Sequence, residues 1–253
     1  MSLLAQWGKA FSFQRLGWCI MPDYQLPHHR LIMTALAQFD ADFFTQHAIC
    51  FGGGTRIALE LDEYRESVDI DLLCPNKDAY RAVREQVSNL SLGALVRQEF
   101  DYIREIRADR YAVRTFLKLD DSLVKLEIVS CDEYRLVAGA DLNLFPLPYL
   151  SRESCLMTKL LANADRALAP PFKDVFDLVA MYLAWGEIPQ AAWQEAERQY
   201  GSVPRKALLK SLADMLARPA LYLERAADMK MKPSWAQRIV AEGAQQLYDR
   251  IAA

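Results

Sequence analysis

The spacing of apolar residues changes near residue 148, and this change restricts the folds open to the chain. Before that point, VDIDLLC (68–74) alternates between apolar and polar residues, as a strand does. RYAVRTFLKLDDSLVKLEIVS (110–130) holds two such runs and predicts a β-hairpin that turns at Asp120-Asp121. The first part of the chain therefore contains a sheet.

Helical spacing dominates the remainder. Residues 30–46 predict a helix before the first strand, and residues 151–250 predict helices only. We therefore predict an α+β fold, with a mixed β-sheet core and its flanking helices over residues 1–150 and an all-helical domain over residues 151–253. The helices should break at the prolines Pro170-Pro171, Pro189, Pro204 and Pro233.

Charge is distributed unevenly along the 253 residues. The whole chain carries a net charge of −3, which argues against indiscriminate binding to DNA. Residues 201–240, here called the basic stretch, nevertheless hold eight basic side chains against three acidic ones. We expect this stretch to attract an acceptor that carries phosphates, such as RNA. Its basic residues are Arg205, Lys206, Lys210, Arg218, Arg225, Lys230, Lys232 and Arg238.

Cysteines and uncharged runs both indicate a soluble cytoplasmic protein. The five cysteines are far apart and include no CxxC pair, so we expect reduced thiols packed as small apolar residues. The longest uncharged runs, 31–39 and 178–186, reach about half of the ~20 residues that a membrane-spanning helix needs. We therefore expect no membrane partner.

The segment FGGGTRIALELDEYRESVDIDLL (51–73) carries the chemistry. A short strand enters a glycine turn at Gly53 and Gly54, and a helix follows. Glycines let backbone N–H groups approach an anion closely, and a helix N-terminus adds partial positive charge. The Lys of a P-loop and the GxGxxG spacing of a dinucleotide site are both missing. By itself this pattern also fits a plain tight turn.

Three acidic residues on strands form the second signal. Asp69 and Asp71 are two residues apart, so their carboxylates point to one face and repel each other unless a cation lies between them. Glu127 becomes a third carboxylate if its strand neighbours theirs. Three such acids can hold Mg²⁺ ions for phosphoryl transfer, although the Asp pair alone, or Glu127 alone, is more typical of a solvated strand.

The order of these elements is that of polymerase-beta-type nucleotidyltransferases. GGT (53–55), Ala58-Leu59, Arg65, Ser67 and Asp69-Ile70-Asp71 closely resemble the GGT…AL…R-x-S-x-DID signature of the AbiEii-type abortive-infection nucleotidyltransferase toxins.

Two later motifs extend this resemblance to roughly residues 48–180. Lys159 is similar to the family's lysine on the first helix after the core, and KDVFDL (173–178) is similar to its K/R-D-x-x-D-L segment. The resemblance implies a nucleotidyltransferase-type sheet and a cofactor of Mg²⁺ (or Mn²⁺), with a nucleoside triphosphate (NTP) as the substrate.

The resemblance also implies a role for each matched residue. Asp69 and Asp71, with Glu127 as the third carboxylate, would hold the metal, and Asp174 would act near the acceptor or orient Lys159. Asp177 would be structural. The residues implied in nucleotide binding, including two that order the turn before the metal strand, are Gly53, Gly54, Thr55, Arg65, Ser67 and Lys159.

One departure from the family bears on the substrate. Arg56 follows the threonine where many relatives have a small residue, and together with the extra Gly52 it could alter nucleotide choice.

By this resemblance the chain would transfer NMP from an NTP to an acceptor hydroxyl, with a tRNA 3′ end as one acceptor and a cognate antitoxin as a partner. Three alternatives stay open from the residues: a protein or small-molecule acceptor, a kinase that passes on the γ-phosphate, and an inactive nucleotide-binding module.

Overall fold

A computed structural model of the chain describes residues 23–131, 133–140 and 144–253, together with the backbone of residues 14–16 and 19–21. The first residues of the predicted core therefore lie largely outside the described part. The side chain of Cys19 lies outside it as well. The backbone segments pair as a short antiparallel hairpin of β1 (Gln14–Leu16) and β2 (Cys19–Met21).

Two helices, rather than the single one predicted over 30–46, precede the sheet. They are α1 (Pro27–Gln38) and α2 (Ala41–Gln46). The break has a local cause, because the Asp40 side chain accepts a hydrogen bond from the backbone N–H of Phe43 and so caps a new helix. The prediction of one continuous helix was wrong because Asp40 is an N-cap.

Within the described residues six strands form one mixed sheet, in the spatial order β3-β4-β8-β7-β5, with β6 paired to β7. β4 and β8 are parallel, and the other pairs are antiparallel. The hairpin of β7 and β8 turns at Asp120-Asp121 as predicted. The elements from the first of these strands onward are β3 (Cys50–Gly52), α3 (Gly53–Glu60), β4 (Asp69–Cys74), α4 (Lys77–Gln86), β5 (Asp101–Tyr102), β6 (Arg107–Ala108), β7 (Ala112–Leu119) and β8 (Ser122–Ser130).

Helices make up the regular structure after residue 151, as predicted. Ser151 caps the first of them by accepting a hydrogen bond from the N–H of Ser154. Helices start at or beside three of the predicted prolines, Pro189, Pro204 and Pro233. The first N–H groups of a helix have no partner within it, so a proline there costs no hydrogen bond. These helices are α5 (Arg152–Arg166), α6 (Lys173–Trp185), α7 (Gln190–Tyr200), α8 (Val203–Ala217), α9 (Pro219–Asp228), α10 (Pro233–Arg238) and α11 (Ala244–Ala252), with a π-helical turn between the last two.

The helix of the glycine turn packs against the helical half of the chain. Ile57 and Ala58 of α3 are buried in one apolar cluster with Leu156 of α5 and Phe176 of α6. A second cluster fills the space between the sheet and helices α1, α2 and α4. The predicted division into two domains at residues 150/151 stays a prediction.

No helix in the described part of the chain is long and apolar enough to cross a membrane. The four cysteines with described side chains are free thiols and are buried, as predicted: Cys50, Cys74, Cys131 and Cys155.

Candidate active site

Asp69 and Asp71 lie on one face of β4, which is flanked by β3 and β8 in the sheet. Because side chains alternate along a strand, Ile70 between them points to the other face, where it is completely buried. The parallel pairing of β4 with β8 places Lys125 beside Asp69 and Glu127 beside Asp71. The strands that carry the three predicted carboxylates are therefore neighbours.

Gly53 brings the start of α3 against the Asp71 side chain. Its φ angle of +69° lies in the left-handed region, which favours glycine. A Cβ atom at this position would lie 1.9 Å from Oδ2 of Asp71. Two separate constraints, backbone conformation and space beside a carboxylate, therefore require glycine here.

Asp71 lies in an environment that disfavours its negative charge. Burial and the neighbouring carboxylates of Asp69 and Glu127 raise the pKa of Asp71 from 3.8 to about 6, and the charges of Lys159 and Lys173 only partly oppose this. Among the described residues neither Asp69 nor Asp71 forms an ion pair. Two crowded carboxylates without a protein cation are a donor set suited to a hard divalent cation.

Glu127 differs from these two acids because cationic side chains already bind it. Oε1 accepts a hydrogen bond from Nε of Arg114 at 3.0 Å, and Oε2 accepts one from Nζ of Lys125 at 2.6 Å. Burial by itself would raise the pKa of Glu127, but the two cations hold it below its ordinary value. Within the described ranges no three His, Cys, Asp or Glu side chains are spaced to share a metal ion.

Thr55 links the start of α3 to the start of β4. Its buried hydroxyl donates a hydrogen bond to the carbonyl oxygen of Asp69 and lies 2.9 Å from the Ser67 hydroxyl. The backbone N–H of Ser67 in turn donates to Nε2 of His29, and Nδ1 of His29 is 2.9 Å from Glu63. The side chains of Thr55 and Ser67 thus fix the turn before the carboxylate strand.

A buried network of charges joins this turn to the helical half. Nε and Nη2 of Arg65 donate to the two oxygens of Asp177 at 2.7 and 2.9 Å. Burial alone would raise the pKa of Asp177, but Arg65 and Lys159 hold it well below its ordinary value. The hydroxyl of Tyr64 also donates to Asp177. Arg65 and Asp177 therefore have a structural part in this arrangement, as the sequence predicts for Asp177.

Lys159 lies between two aspartates of α6. Its Nζ is 2.6 Å from Asp177 and 2.9 Å from Asp174, and the side chain is almost fully buried. Asp174 also accepts hydrogen bonds from Arg166. Gly54 packs against the same network, since a Cβ there would lie 2.6 Å from Nη2 of Arg65. The predicted site residues on α3, α5 and α6 are thus brought together.

Sequence reasoning gave no role to Lys125, Arg114, His29 or Lys173. Lys173 is half-buried at the start of α6, and its charge reaches Asp71. The strand alternation places Lys125 on the face of Glu127, so this neighbour could have been found from the sequence. The pairing of Arg114 with Glu127 could be predicted only if the register of the hairpin were known.

Arg56 is buried beside the helical half of the chain. Its side chain is 1% exposed, pairs with Glu60, and lies near the rings of Tyr149 and Trp185. An influence of Arg56 and Gly52 on nucleotide choice stays a prediction.

Ion pairs occupy much of the basic stretch. Five of its eight basic side chains pair with acids, namely Arg205, Arg218, Arg225, Lys230 and Lys232. Lys206, Lys210 and Arg238 are exposed. The positive surface that could attract RNA is thus smaller than the charge count alone suggests.

Comparison with known proteins identifies a family. The model of the family described as "Nucleotidyl transferase AbiEii toxin, Type IV TA system" matches residues 34–245. Among solved structures the chain is similar to JHP933 from Helicobacter pylori, with 15% identity, a TM-score of 0.47, and 89% of this chain and 92% of that one covered. It is also similar to an antigenic nucleotidyltransferase-like protein from Paracoccidioides brasiliensis, with 14% identity, a TM-score of 0.36, and coverage of 72% and 92%. No curated protein matches the chain.

Proposed function

Because the chain belongs to the AbiEii family of nucleotidyltransferase toxins of type IV toxin–antitoxin systems, we propose a specific reaction for it. The enzyme transfers a nucleoside monophosphate from an NTP to an acceptor hydroxyl and releases pyrophosphate. Asp69 and Asp71 hold a divalent cation, Mg²⁺ or Mn²⁺, and a tRNA 3′ end is the acceptor. A cognate antitoxin opposes the reaction.

The observation that carries this proposal is the pair of carboxylates on β4 together with Gly53. The two carboxylates share one face of β4 without an ion pair among the described residues, and the missing Cβ of Gly53 lets the start of α3 lie against Oδ2 of Asp71. This donor set fits a small hard cation. The cation would neutralise the carboxylates and bind phosphate oxygens of the NTP. Glu127 as a third ligand stays a prediction and is left out of this proposal, because both of its oxygens are bound to cationic groups.

The start of α3 and two lysines supply the groups for the triphosphate. The first N–H groups of a helix have no partner within the helix, so those that follow Gly53 and Gly54 are available to phosphate oxygens. The Thr55 hydroxyl is buried, which leaves its backbone N–H as the group that could bind nucleotide. Lys159 and Lys173 add positive charge beside Asp71.

The family resemblance allows two roles for Asp174, one near the acceptor and one in orienting Lys159. Its carboxylate is buried and bonded to both Lys159 and Arg166, which supports the second role. We propose that Asp174 and Asp177 fix the position of the Lys159 ammonium group. The three exposed basic residues of the basic stretch, Lys206, Lys210 and Arg238, are the proposed contacts for RNA phosphates.

The test is to incubate the protein with Mg²⁺, one α-³²P-NTP at a time, and a crude mixture of cellular RNA and protein. Products are resolved on denaturing gels. Asp69→Asn is the test variant, and Asp78→Asn is the matched control, because Asp78 is an exposed aspartate of α4 whose ion pair is with the exposed Arg81. We expect label in a tRNA-sized band with the native protein and Asp78→Asn, and none with Asp69→Asn.

Other outcomes would redirect the proposal. Asp69-dependent label in a protein band would make the acceptor a protein, and label from γ-³²P-ATP instead of α-labelled NTP would make the enzyme a kinase. Full activity of Asp69→Asn would refute the metal site on β4.

A further inference from the structure

The carboxylate of Glu127 is the centre of a chain of ion pairs that crosses the sheet. Arg114 of β7 bonds Glu127 through Nε at 3.0 Å and Asp109 through Nη1 at 3.0 Å. Lys125, two residues before Glu127 on β8, bonds its other oxygen at 2.6 Å. Each oxygen of Glu127 is therefore bound to a different cationic group.

Lys125 lies directly beside a proposed metal ligand. The strand register pairs Lys125 with Asp69 and Glu127 with Asp71, and all four side chains share one face of the sheet. The side chain of Lys125 is 37% exposed, and that of Glu127 is 22% exposed. This face thus presents an ammonium group bonded to Glu127 next to the two carboxylates that form no ion pair among the described residues.

Electrostatics opposes a metal ion on Glu127. A divalent cation there would lie against the charges of both Arg114 and Lys125, or would have to displace one of them from a partly buried carboxylate. Within the described residues neither Asp69 nor Asp71 is bonded to a cationic side chain, so a divalent cation there would displace none, although Lys125, Lys159 and Lys173 lie nearby. The spacing agrees, because in the same residues no three carboxylates are arranged to share one metal ion.

We infer that Glu127 is not a metal ligand but a positioning residue that holds the Lys125 ammonium group beside Asp69. The protein itself then binds one divalent cation, through Asp69 and Asp71, and Lys125 supplies a second, permanent positive charge on the face that receives the triphosphate. This inference rests on the proposed function, which places the cation at Asp69 and Asp71.

The experiment titrates Mn²⁺ into the nucleotide-free protein and follows free Mn²⁺ by electron paramagnetic resonance, so no turnover is needed. Four proteins are compared, each checked for folding by a thermal melt: the native chain, Asp71→Asn, Lys125→Met and the double variant Glu127→Gln/Lys125→Met. The double variant removes one positive and one negative charge together. Any loss of affinity in it therefore reports a lost ligand rather than a changed net charge.

We expect one Mn²⁺ per native chain, and affinity about tenfold or more weaker in Asp71→Asn, because the number of charged ligands sets the affinity of such sites. The double variant should stay within about twofold of the native affinity, and Lys125→Met alone should bind Mn²⁺ severalfold more tightly, since a nearby positive charge is gone.

Two results would overturn the inference while leaving the cation site on β4 intact. One is a loss of Mn²⁺ affinity in the double variant as large as that in Asp71→Asn. The other is a second bound Mn²⁺ that disappears when Glu127 is replaced. Unchanged binding in Asp71→Asn would overturn the inference together with the metal site of the proposed function.

The single variant Glu127→Gln gives an independent measurement should the double variant fail to fold. It removes the acidic partner of Lys125 and leaves Arg114 with its bond to Asp109, so any loss of Mn²⁺ affinity relative to the native chain should shrink at high salt, where exposed charges are screened. A loss that is the same at low and high salt would mean that a ligand has been removed, and would overturn the inference.

Discussion

Asp71 and Asp177 are buried to different degrees, but their partners distinguish them more clearly than burial does. Asp177 is completely buried, and Arg65, Lys159 and Tyr64 all bond to it. Asp71 is partly buried, and Asp69 and Glu127 crowd it with like charge. A carboxylate with a full set of cationic partners stabilises the fold, whereas one held among other carboxylates costs stability and points to function.

Replacing Asp71 should therefore stabilise the metal-free protein. Asp71→Asn removes a negative charge from a site that disfavours it, so at pH 7 the free energy of unfolding should rise, by at most about 3 kcal/mol at about 1.4 kcal/mol per pKa unit. Thermal melting in the presence of EDTA measures this change, and transfer activity should be lost at the same time.

The effect has a definite pH dependence. Because the pKa of Asp71 is higher in the folded protein than in the unfolded chain, the folded state gains stability as pH falls through about 6. The advantage of Asp71→Asn over the native protein should therefore shrink between pH 8 and pH 5. An advantage that grew toward low pH would contradict this assignment.

Replacing Asp177 should have the opposite effect. Asp177→Asn leaves the buried charges of Arg65 and Lys159 without their shared partner, and breaking a buried ion pair in this way costs about 3–5 kcal/mol. Urea unfolding of Asp177→Asn and Asp174→Asn compares the two positions. The substitution Asp174→Asn should cost less stability, because one of the partners of Asp174, Arg166, is half-exposed. Equal stability of Asp177→Asn and the native protein would refute the structural role.

At the scale of elements, the turn between β3 and α3 sets the shape of the site. β3 pairs antiparallel with β4, so Gly52 lies opposite Asp71 and the next residue is forced against the carboxylate. The helix that follows is held to β4 by the buried hydroxyl of Thr55. The positions of phosphate-binding N–H groups and carboxylates are therefore set by one hydrogen-bonded unit.

Gly53→Ala tests this unit against a matched control, Gly201→Ala. Both glycines have positive φ, +69° and +57°, but a Cβ at Gly201 would meet no atom within 4 Å. In the control, the free energy of unfolding should fall by about 1–2 kcal/mol, which is the cost of a positive φ for a residue with a Cβ. Gly53→Ala should lose more stability, and it alone should weaken Mn²⁺ binding, as measured by titration. Native Mn²⁺ affinity in Gly53→Ala would show that space beside Asp71 is not needed.

At the scale of the whole molecule, the two halves of the chain are joined by charge as well as by apolar packing. Arg65, before β4, bonds Asp177 of α6, and Lys230, after α9, bonds Glu66. Apolar residues of α3 share a cluster with α5 and α6. The site lies where these contacts meet, so its residues come from both halves.

The proposed RNA contact is tested by salt dependence. If Lys206, Lys210 and Arg238 bind phosphates, replacing all three with Gln should weaken tRNA binding and reduce the slope of log affinity against log salt by about 2. Arg205→Gln/Arg218→Gln is the control, because these two arginines already pair with acids. An unchanged slope in the triple variant would place the RNA elsewhere.

Local patterns in the sequence predicted much of this molecule. The alternation in VDIDLLC placed Asp69 and Asp71 on one face, the DD dipeptide marked the hairpin, and the family signature indicated the chemistry. The break between helices at Asp40 was not predicted, because an N-cap residue there does not interrupt the helical spacing of the apolar residues around it. The burial of Arg56 could not be predicted, because the direction of its side chain depends on what α3 packs against.

Spacing along the chain predicted most of the elements and the carboxylate pair, and the resemblance of residues 53–71 to a known signature indicated the enzyme family. The fold alone shows the partners of Glu127, Lys159 and Asp174, because all of these partners except Lys125 lie on other strands and helices. Arg114 reaches Glu127 through a hairpin register, and Arg65 reaches Asp177 across 112 residues. Whether an acid binds a metal ion or a cationic side chain depends on such partners, and only folding brings those together.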